Sequence, residues 1–332
     1  MSYSRIIEEL CSNKKIILTG HLDPDIDCVA SMLALYSAFG GREKGWQMVL
    51  QDVPNVNMGF LPGVGEIITP DKINIEPESI FLVDCNSVSR VSSGWINAYL
   101  PATSVFVVDH HLMDGELTEN MVIETFAAAA GEVVFHILRQ AQTVIGQELA
   151  LLLYAAMSSD TGGFRQSHTT SRTLFAAAEL LETGLDIETI RINLFESRSK
   201  QNLSMLSEAI QSMKILCDGK AVLMFLTREI INKHGASKND FTDIVSFALS
   251  LRGVKIGMLF EERSEELIKI NMRSRKGYSV NNIAKVMGGG GHLMASGATV
   301  MGTLDTVTGK VIELIEEEIK RVETALSAKS SC

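Results

Sequence analysis

The feature that most constrains this 332-residue chain is a set of short, continuously apolar runs in its first half. They read KKIILTG, WQMVLQD, SIFLVDC and SVFVVDHH, and helical stretches such as CVASMLALYSAFG and GEVVFHILRQAQTVIG alternate with them. Uninterrupted apolar runs are typical of strands buried on both faces, and their alternation with helices predicts parallel βαβ units. We therefore expect an α/β domain with a parallel sheet and helices on both faces.

Acidic residues and histidines end the apolar runs. Four stretches finish in this way: IILTGHLDPDID, IFLVDC, VFVVDHH and LLYAAMSSDTGG. We interpret all four as strand ends, which in a parallel sheet meet at one edge, although the pattern from about 148 to 217, which includes LALLLYAAMSSD, is helical. Carboxylates crowded there would raise one another's pKa unless cations neutralised them, so the pattern predicts metal ions. The residues concerned are His21, Asp23, Asp25, Asp27, Asp84, Asp109, His110, His111 and Asp160.

The types of donor narrow the choice of metal. Several carboxylates with imidazoles and no thiolate favour manganese, with magnesium, iron or cobalt as alternatives. A carboxylate shared by two ions is typical of hydrolytic two-metal sites. One aspartate after an apolar run is more often a helix cap or a turn residue, so the inference depends on the recurrence of the pattern. His136, on an apolar helix face, is expected to be an ordinary buried histidine.

A second strand-rich region begins after a helical stretch. Its apolar runs are AVLMFLT, VKIGMLFEE and LIKINMRS, and a long amphipathic helix ends the chain. The pattern predicts a first domain over 1–185, a helical linker over 186–215 and a smaller mixed α/β domain over 216–326.

The second region carries its own polar motif, NMRSRKGYSVNNIAKVMGGGGHLMASGA, over 271–298. Arg273 and Arg275 follow one another at the end of a strand, and arginine offers a fork of donors that suits phosphate. The consecutive glycines, Gly289 and Gly290 among them, allow backbone N–H groups to approach an anion closely. The alternative is a tight glycine loop beside arginines that face water.

Composition limits the partners of the chain. A formal net charge of -10 argues against binding long nucleic-acid duplexes through their phosphates, but it permits small anionic ligands. Five scattered cysteines without metal-site spacing favour a reducing compartment. No stretch approaches the roughly 20 apolar residues that a membrane span needs. We therefore expect a cytoplasmic protein that does not bind membranes.

The motifs of the first half resemble those of the DHH phosphoesterases. His21-Leu-Asp-Pro-Asp25-Ile-Asp27 matches their H-x-x-x-D-x-D motif, and the later motifs follow in the same order. The resemblance implies one ion held by His21, Asp25 and Asp84. It implies a second ion with a different ligand set that shares Asp84: Asp27, Asp84, His110 and Asp160. Asp23 has no ligand role in that pattern.

The resemblance also implies catalytic roles around the triplet Asp109-His110-His111, the signature that gives the family its name. His111 is expected beside the substrate phosphate, positioned for proton transfer, with Asp84 and Asp109 as further catalytic residues. The 271–298 motif is similar to that of the DHHA1 domain, which supplies substrate-binding arginine and histidine. The expected substrate-binding residues are Arg273 or Arg275, Gly289, Gly290, His292 and Arg165.

The two-domain pattern resembles the small stand-alone branch of this family, the nanoRNase type. That resemblance implies a hydrolase with two Mn²⁺ ions, which Mg²⁺ or Co²⁺ could replace. It would degrade very short single-stranded RNA to mononucleotides and dephosphorylate 3'-phosphoadenosine 5'-phosphate (pAp), and it could form a homodimer. One alternative is a phosphodiesterase for cyclic di-AMP or pApA. Another is a nucleotide-binding regulatory protein with a degenerate site, which the filled ligand positions disfavour.

Overall fold

The computed structural model describes residues 3–91, 94–113, 115–241 and 243–330. The chain forms two compact units, the first ending at Ser197 and the second beginning at Arg198. The boundary lies within the predicted linker, 186–215. The division into a first domain, linker and second domain at 185 and 215 stays a prediction.

The described residues form helices and strands in both units. The helices are α1 (Ser4–Cys11), α2 (Ile26–Ala38), α3 (Gly41–Lys44), α4 (Ala130–Gln140), α5 (Gln147–Asp160), α6 (Ser171–Leu181), α7 (Ile187–Arg191), α8 (Lys200–Gln211), α9 (Arg228–His234), α10 (Val280–Val286) and α11 (Leu304–Ser330). The strands are β1 (Ile16–Thr19), β2 (Gln47–Met48), β3 (Ser79–Val83), β4 (Ser104–Asp109), β5 (Met121–Ile123), β6 (Lys214–Leu216), β7 (Ala221–Leu226), β8 (Ile256–Ser264), β9 (Leu267–Ser274), β10 (Gly290–His292) and β11 (Ala295–Met301).

The first unit contains a five-stranded sheet in the order β2-β1-β3-β4-β5, with every neighbouring pair parallel. The four apolar runs of the first half form β1 to β4. One face packs against α1, α2, α4, α5 and α6, and the other packs against short 3₁₀ segments that include Trp95–Ala98. The predicted α/β class with a parallel sheet is confirmed.

The order of the strands fixes where a ligand site can form. β2 lies on one side of β1 and β3 lies on the other. The order of the strands therefore reverses between β1 and β3, which is the switch point of the sheet. Ligands of such sheets bind beyond the carboxyl ends of the strands at this point. His21 follows β1, Asp84 follows β3 and Asp109 ends β4. The topology therefore brings three of the polar motifs to one edge.

The second unit contains a six-stranded mixed sheet in the order β10-β11-β9-β8-β7-β6. Only the β7–β8 pair is parallel among the strand pairs described. α10 and α11 cover one face, and α8, α9 and 3₁₀ segments pack on the other. Within the described ranges, no helix is both long enough and apolar enough to span a membrane.

Candidate metal centre

Asp84 lies at the middle of the candidate site. It is buried directly after β3, and its backbone takes the left-handed conformation (φ 54°), which aspartate tolerates better than most residues. Its carboxylate is surrounded by histidine nitrogens: Oδ2 is 3.4 Å from Nε2 of His21, and Oδ1 is 3.4 Å from Nε2 of His110 and 3.3 Å from Nδ1 of His111. One carboxylate thus faces three imidazoles.

Backbone carbonyls orient two of these rings. Nδ1 of His21 is 2.8 Å from the carbonyl oxygen of Leu22, and Nδ1 of His110 is 3.3 Å from that of Ala127. A ring that donates its Nδ1–H to a carbonyl presents the lone pair of Nε2, which is how metal-binding histidines are commonly held. Both rings therefore turn Nε2 toward the carboxylate of Asp84, at 3.4 Å in each case, an arrangement that suits a cation between them.

Asp27 is fixed by the start of a helix that lies more than 100 positions later in the chain. Its Oδ2 accepts from the backbone N–H of Ala130 (2.6 Å) and its Oδ1 from that of Gly131 (2.9 Å), at the N-terminus of α4. The N-cap residue of α4 is Ala129, which has no side-chain acceptor. Asp27 therefore caps α4 from α2 and still lies 3.7 Å from Nε2 of His110.

Asp25 and Asp160 complete the ring of carboxylates. Asp25 caps α2 by accepting from the N–H of Cys28 (3.1 Å), and its Oδ1 lies 4.0 Å from Nε2 of His21. Oδ2 of Asp160 lies 3.4 Å from Nε2 of His110. The interpretation of Asp160 as the end of a strand is wrong and the helical pattern from about 148 is correct, since Asp160 is the last residue of α5. The apolar run before it is buried as a helix packed against α2 and α4 rather than as a strand.

In the absence of a cation, burial and neighbouring charges shift the pKa values of the carboxylates in the site. Burial, together with the charges of Asp84 and Asp160, raises the pKa of Asp27 well above its usual range. Burial and the charge of Asp25 raise the pKa of Asp160 to about 7. Burial would also raise the pKa of Asp84, but the three nearby histidines outweigh it and hold that pKa well below normal. The site is therefore short of positive charge.

The donor atoms fit a bound metal. The donors of Asp27, His110 and Asp160 lie within 4.8 Å of one another, and so do those of Asp84, Asp109, His110 and His111. Buried Oδ1 of Asp84 and Nε2 of His110 find no hydrogen-bond partner of good geometry in the described part of the chain. Buried polar atoms are normally satisfied, so their convergence indicates a site for divalent cations.

Cys28 lies beside this cluster, with Sγ within 4.8 Å of donor atoms of His21 and Asp84, but its thiol is engaged by the backbone. Its thiol donates to the carbonyl of Val83 (3.6 Å), and burial with the charge of Asp84 raises its pKa well above normal. A Cβ at Gly20 would lie 2.0 Å from Sγ of Cys28, so the glycine is needed for this contact. Cys28 is therefore a packing residue with a neutral thiol.

Asp109 organises the two histidines that follow it. Its Oδ1 accepts from the backbone N–H groups of His110 (2.7 Å) and His111 (3.2 Å) and lies 2.7 Å from Nδ1 of His111. Burial lowers the pKa of His111, but the bonds to Asp109 and Asp84 outweigh it and raise that pKa to about 10. Asp109 therefore holds His111 through Nδ1 and favours the charged ring. The catalytic roles of both residues stay predictions.

The predicted substrate-binding arginines have different surroundings. Arg165 is exposed and donates to the carbonyl of Gly162 (2.7 Å) in its own turn. Arg273 is half-buried on β9, where Nη1 donates to the carbonyl of Met272 (3.1 Å). Arg275 lies beyond the last residue of β9, is exposed and donates to the carbonyl of Leu249 (2.7 Å). The two arginines of the motif therefore do not share one strand.

The glycine run both ends a helix and begins an edge strand. The N–H of Gly289 donates to the carbonyl of Ala284 and that of Gly288 to Lys285, with Gly288 in the left-handed region (φ 77°). These bonds form a Schellman motif that closes α10. Gly290 then enters β10 at the edge of the sheet. The side chain of His292 lies outside the described residues, so its predicted role is untested.

Sequence reasoning missed the backbone groups that orient the site. The carbonyl of Ala127 and the amides of Ala130 and Gly131 come from the stretch FAAAAGE, which has no polar side chain before its glutamate. The available signal was a helix start without a capping residue, which implies a cap from elsewhere in the chain. His168, also missed, places Nε2 3.2 Å from the carbonyl oxygen of Asp160.

Comparison with protein families assigns a known domain to each half of the chain. Residues 15–157 match the DHH family, N-terminal domain, and residues 218–323 match the DHHA1 domain. The two matched segments contain all of the proposed metal ligands except Asp160, together with Arg273, Arg275 and the glycine run. The predicted family is confirmed.

Curated relatives span nearly the whole chain. The bifunctional oligoribonuclease and PAP phosphatase NrnA of Thermus thermophilus is 28% identical over 92% of this chain and 90% of its own length. The Bacillus subtilis protein of the same name is 23% identical over 90% of this chain and 93% of its own. The cyclic-di-AMP phosphodiesterase PdeA of Listeria monocytogenes is 26% identical over 87% of this chain, but over only 45% of its own length.

A solved structure has the same fold. An exopolyphosphatase-related protein from Bacteroides fragilis superposes with a TM-score of 0.87 at 24% identity, covering 98% of each chain. That likeness concerns the fold, and the two family matches identify the domains. This chain belongs to the DHH family and combines a DHH N-terminal domain with a DHHA1 domain.

Proposed function

We propose that this protein is a metal-dependent hydrolase that degrades short single-stranded oligoribonucleotides to mononucleotides and removes phosphate from pAp. The observation that carries the proposal is the buried Asp84, whose carboxylate faces three imidazoles and whose Oδ1 lacks a good hydrogen-bond partner within the described ranges. The near full-length similarity to proteins named oligoribonuclease and PAP phosphatase supports the substrate.

The proposed metal complement is two Mn²⁺ ions, with Mg²⁺ or Co²⁺ as substitutes. His21, Asp25 and Asp84 would hold one ion. Asp84 would be shared with the second ion, whose further ligands would be Asp27, His110 and Asp160. When bound, such ions supply Lewis-acid stabilisation of a phosphate in the transition state and lower the pKa of an attacking water.

We assign protonation of the leaving group to His111 and Asp109, which lie beside Asp84. Water attacks phosphorus in line with the leaving oxygen, the bond from phosphorus to that oxygen breaks, and the leaving oxygen needs a proton. His111 is suited to donate it from Nε2, because Asp109 holds Nδ1 and favours the charged ring. The buried carboxyl of Asp109 acts through His111 and so fixes the direction of the donor.

In the second unit, we assign the phosphate-binding role to Arg273 rather than to Arg275. Burial lowers the pKa of Arg273, so its cation is held with incomplete hydration, and it sits on a rigid strand. Charge-assisted hydrogen bonds to phosphate are strongest from such a group. Gly289, Gly290 and His292 belong to the same proposed surface. Arg165 is a weaker candidate, since it is exposed and bonded to its own turn.

The second candidate function is a phosphodiesterase for cyclic di-AMP or pApA, and the Listeria relative with that name favours it. It ranks lower because the chain matches less than half of that relative's length. The net charge of -10 supports small substrates over long duplexes. A homodimer and a cytoplasmic location, the latter inferred from the scattered cysteines, belong to the same proposal.

A substrate panel tests the proposal. Purified protein with Mn²⁺ is given pAp, di- to pentaribonucleotides, pApA and cyclic di-AMP, and each product is separated by chromatography. We expect mononucleotides from the dinucleotide and phosphate from pAp. Turnover confined to cyclic di-AMP and pApA would establish the second candidate, and no turnover with any substrate would refute both. Metal analysis and sedimentation of the same sample test the two ions and the dimer.

A further inference from the structure

Residues 124–131, between β5 and α4, contact the candidate metal centre through their backbone. The carbonyl of Ala127 faces Nδ1 of His110 at 3.3 Å, and the N–H groups of Ala130 and Gly131 donate to Asp27. This segment therefore sets the orientation of one imidazole and one carboxylate. If it moved, two proposed ligands would move with it.

Two buried glutamates, Glu124 and Glu132, hold the segment through hydrogen bonds. Oε2 of Glu132 accepts from the N–H of Ala128 (3.0 Å) and from the hydroxyl of Thr173 (2.7 Å). Glu124 accepts from the hydroxyl of Tyr3, and its own N–H donates to the carbonyl of Asp109 (3.0 Å). Glu132 is fully buried and Glu124 is 2% exposed, so both carboxylates need a nearby cation.

Arg172, in the first turn of α6, supplies that cation. Its Nη2 lies 2.8 Å from Oε2 of Glu124, and its Nε lies 3.6 Å from Oε1 of Glu132. The guanidinium also covers the ring of Phe126, 4.9 Å from the centroid, and Nε donates to Nε2 of His136 (2.7 Å). One planar group thus contacts Glu124 and Phe126 within the segment and Glu132, the residue directly after it.

We propose that Arg172 is a positioning residue for the metal centre, acting through Glu124 and Glu132 on residues 124–131. The inference rests on the proposed function and adds to it a residue that contacts none of the proposed ligands. A guanidinium suits the role because one planar group lies beside both carboxylates as their counter-ion while Nε donates to His136 and Nη2 to the hydroxyl of Tyr3. Lysine offers only one mobile point charge.

Three variants separate positioning from general stability. Arg172→Lys keeps the charge but loses the planar group, and Tyr3→Phe removes the hydroxyl that donates to Glu124 and accepts from Nη2 of Arg172 (3.3 Å). The matched control is Arg139→Met. Arg139 and Glu179 also form an arginine–glutamate pair between α4 and α6 (3.1 Å), but at an exposed position outside the 124–131 network.

The main measurement is the Mn²⁺ dissociation constant, obtained by calorimetric titration of metal-free protein. We expect it to rise by up to about tenfold in Arg172→Lys, because Arg172 is one step further from the metal than the ligand partners whose loss costs about 10- to 100-fold. Tyr3→Phe should shift it in the same direction by less, and Arg139→Met should leave it unchanged. At saturating Mn²⁺, kcat should fall in Arg172→Lys while KM changes little.

A purely structural role predicts a different result. If Arg172→Lys unfolds more easily in urea but its folded form has the wild-type dissociation constant and kcat, the proposal is wrong. If Arg172→Lys does not fold, Tyr3→Phe decides: a wild-type dissociation constant overturns the proposal and a weakened one supports it. If wild-type protein binds Mn²⁺ but cleaves no substrate, the proposed function fails while the metal titration still tests Arg172.

Discussion

The two units place their polar motifs in different ways. In the first unit, residues just after β1, β3 and β4, at the start of α2 and at the end of α5 bring their donor atoms to within about 4 Å of neighbouring donors. In the second unit, Arg273 and Arg275 are two positions apart in sequence, yet one lies on β9 and the other beyond it. A parallel sheet collects its strand ends at one edge, whereas a mostly antiparallel sheet distributes them over two edges. Motif spacing is therefore a better guide to the site in the first unit.

The largest expected effect comes from Asp84→Asn, which tests the convergence in the first unit. Losing the central charge should reduce kcat at least about 10²-fold, the typical cost of removing one preorganised electrostatic contact, and should weaken Mn²⁺ binding. Asp23→Asn is the matched control, because Asp23 shares the left-handed backbone (φ 51°) but has no ligand role in the proposal. Steady-state assays and metal titration measure both. If both variants lost kcat and Mn²⁺ affinity equally, the assignment of Asp84 as a ligand and Asp23 as a non-ligand would be wrong.

A smaller effect is expected from the arginines of the second unit. Arg273→Met should raise KM for pAp roughly tenfold, since a half-buried guanidinium gives stronger bonds to phosphate than an exposed one. Arg275→Met should change KM less than about twofold, because surface charges contribute little. Neither variant should alter the Mn²⁺ dissociation constant. A larger effect of Arg275 would reverse the assignment, and a changed metal affinity would argue against separate roles for the two units.

Adjacent glycines test whether the glycine run serves folding or binding. A Cβ at Gly289 would lie 2.1 Å from the carbonyl oxygen of Gly297, whereas one at Gly290 would meet nothing within 4 Å. Gly289→Ala should therefore lower the free energy of unfolding by about 1–3 kcal/mol, as overpacking does. Gly290→Ala should be near neutral for stability, and a raised KM for pAp would place it at the substrate. Urea denaturation that ranked the two variants in the opposite order would contradict the close approach of β11.

The smallest expected effect concerns pH and His136. Burial beside Arg172 lowers the pKa of His136 to about 4, from an ordinary value of 6.5. Between those values the unfolded chain binds a proton that the native protein does not, so stability is lost as pH falls from about 6.5 to 4. His136→Gln keeps an acceptor for Arg172 and should reduce that loss by at most about 1 kcal/mol, since the ring is screened by solvent. Unfolding free energies of the wild type and His136→Gln are measured at pH 7 and 4.5 with chelator. If His136 were charged in the native state, both proteins would lose the same stability between the two pH values.

The sequence determined much of the first unit. Its apolar runs specified four buried strands, and the acids at their ends specified that His21, Asp84 and Asp109 would meet, because parallel strands share an edge. The family followed from the order of the motifs and is confirmed by the domain matches. The stretch before Asp160 was read both as the start of a helical region and as a strand end, because a short apolar run has no period that separates a buried helix from a buried strand, and the helix is correct.

Only the tertiary structure decided which groups orient the site. The capping of α4 by Asp27, the carbonyl of Ala127 behind His110, and the approach of Arg172 to Glu132 join positions about 20 to 100 residues apart. Backbone donors and acceptors are the same in every residue, so sequence carries no mark of which one faces a ligand. The sequence likewise could not show which of Arg273 and Arg275 lies on the strand. A shift of one residue in the end of β9 would change the surroundings of both side chains.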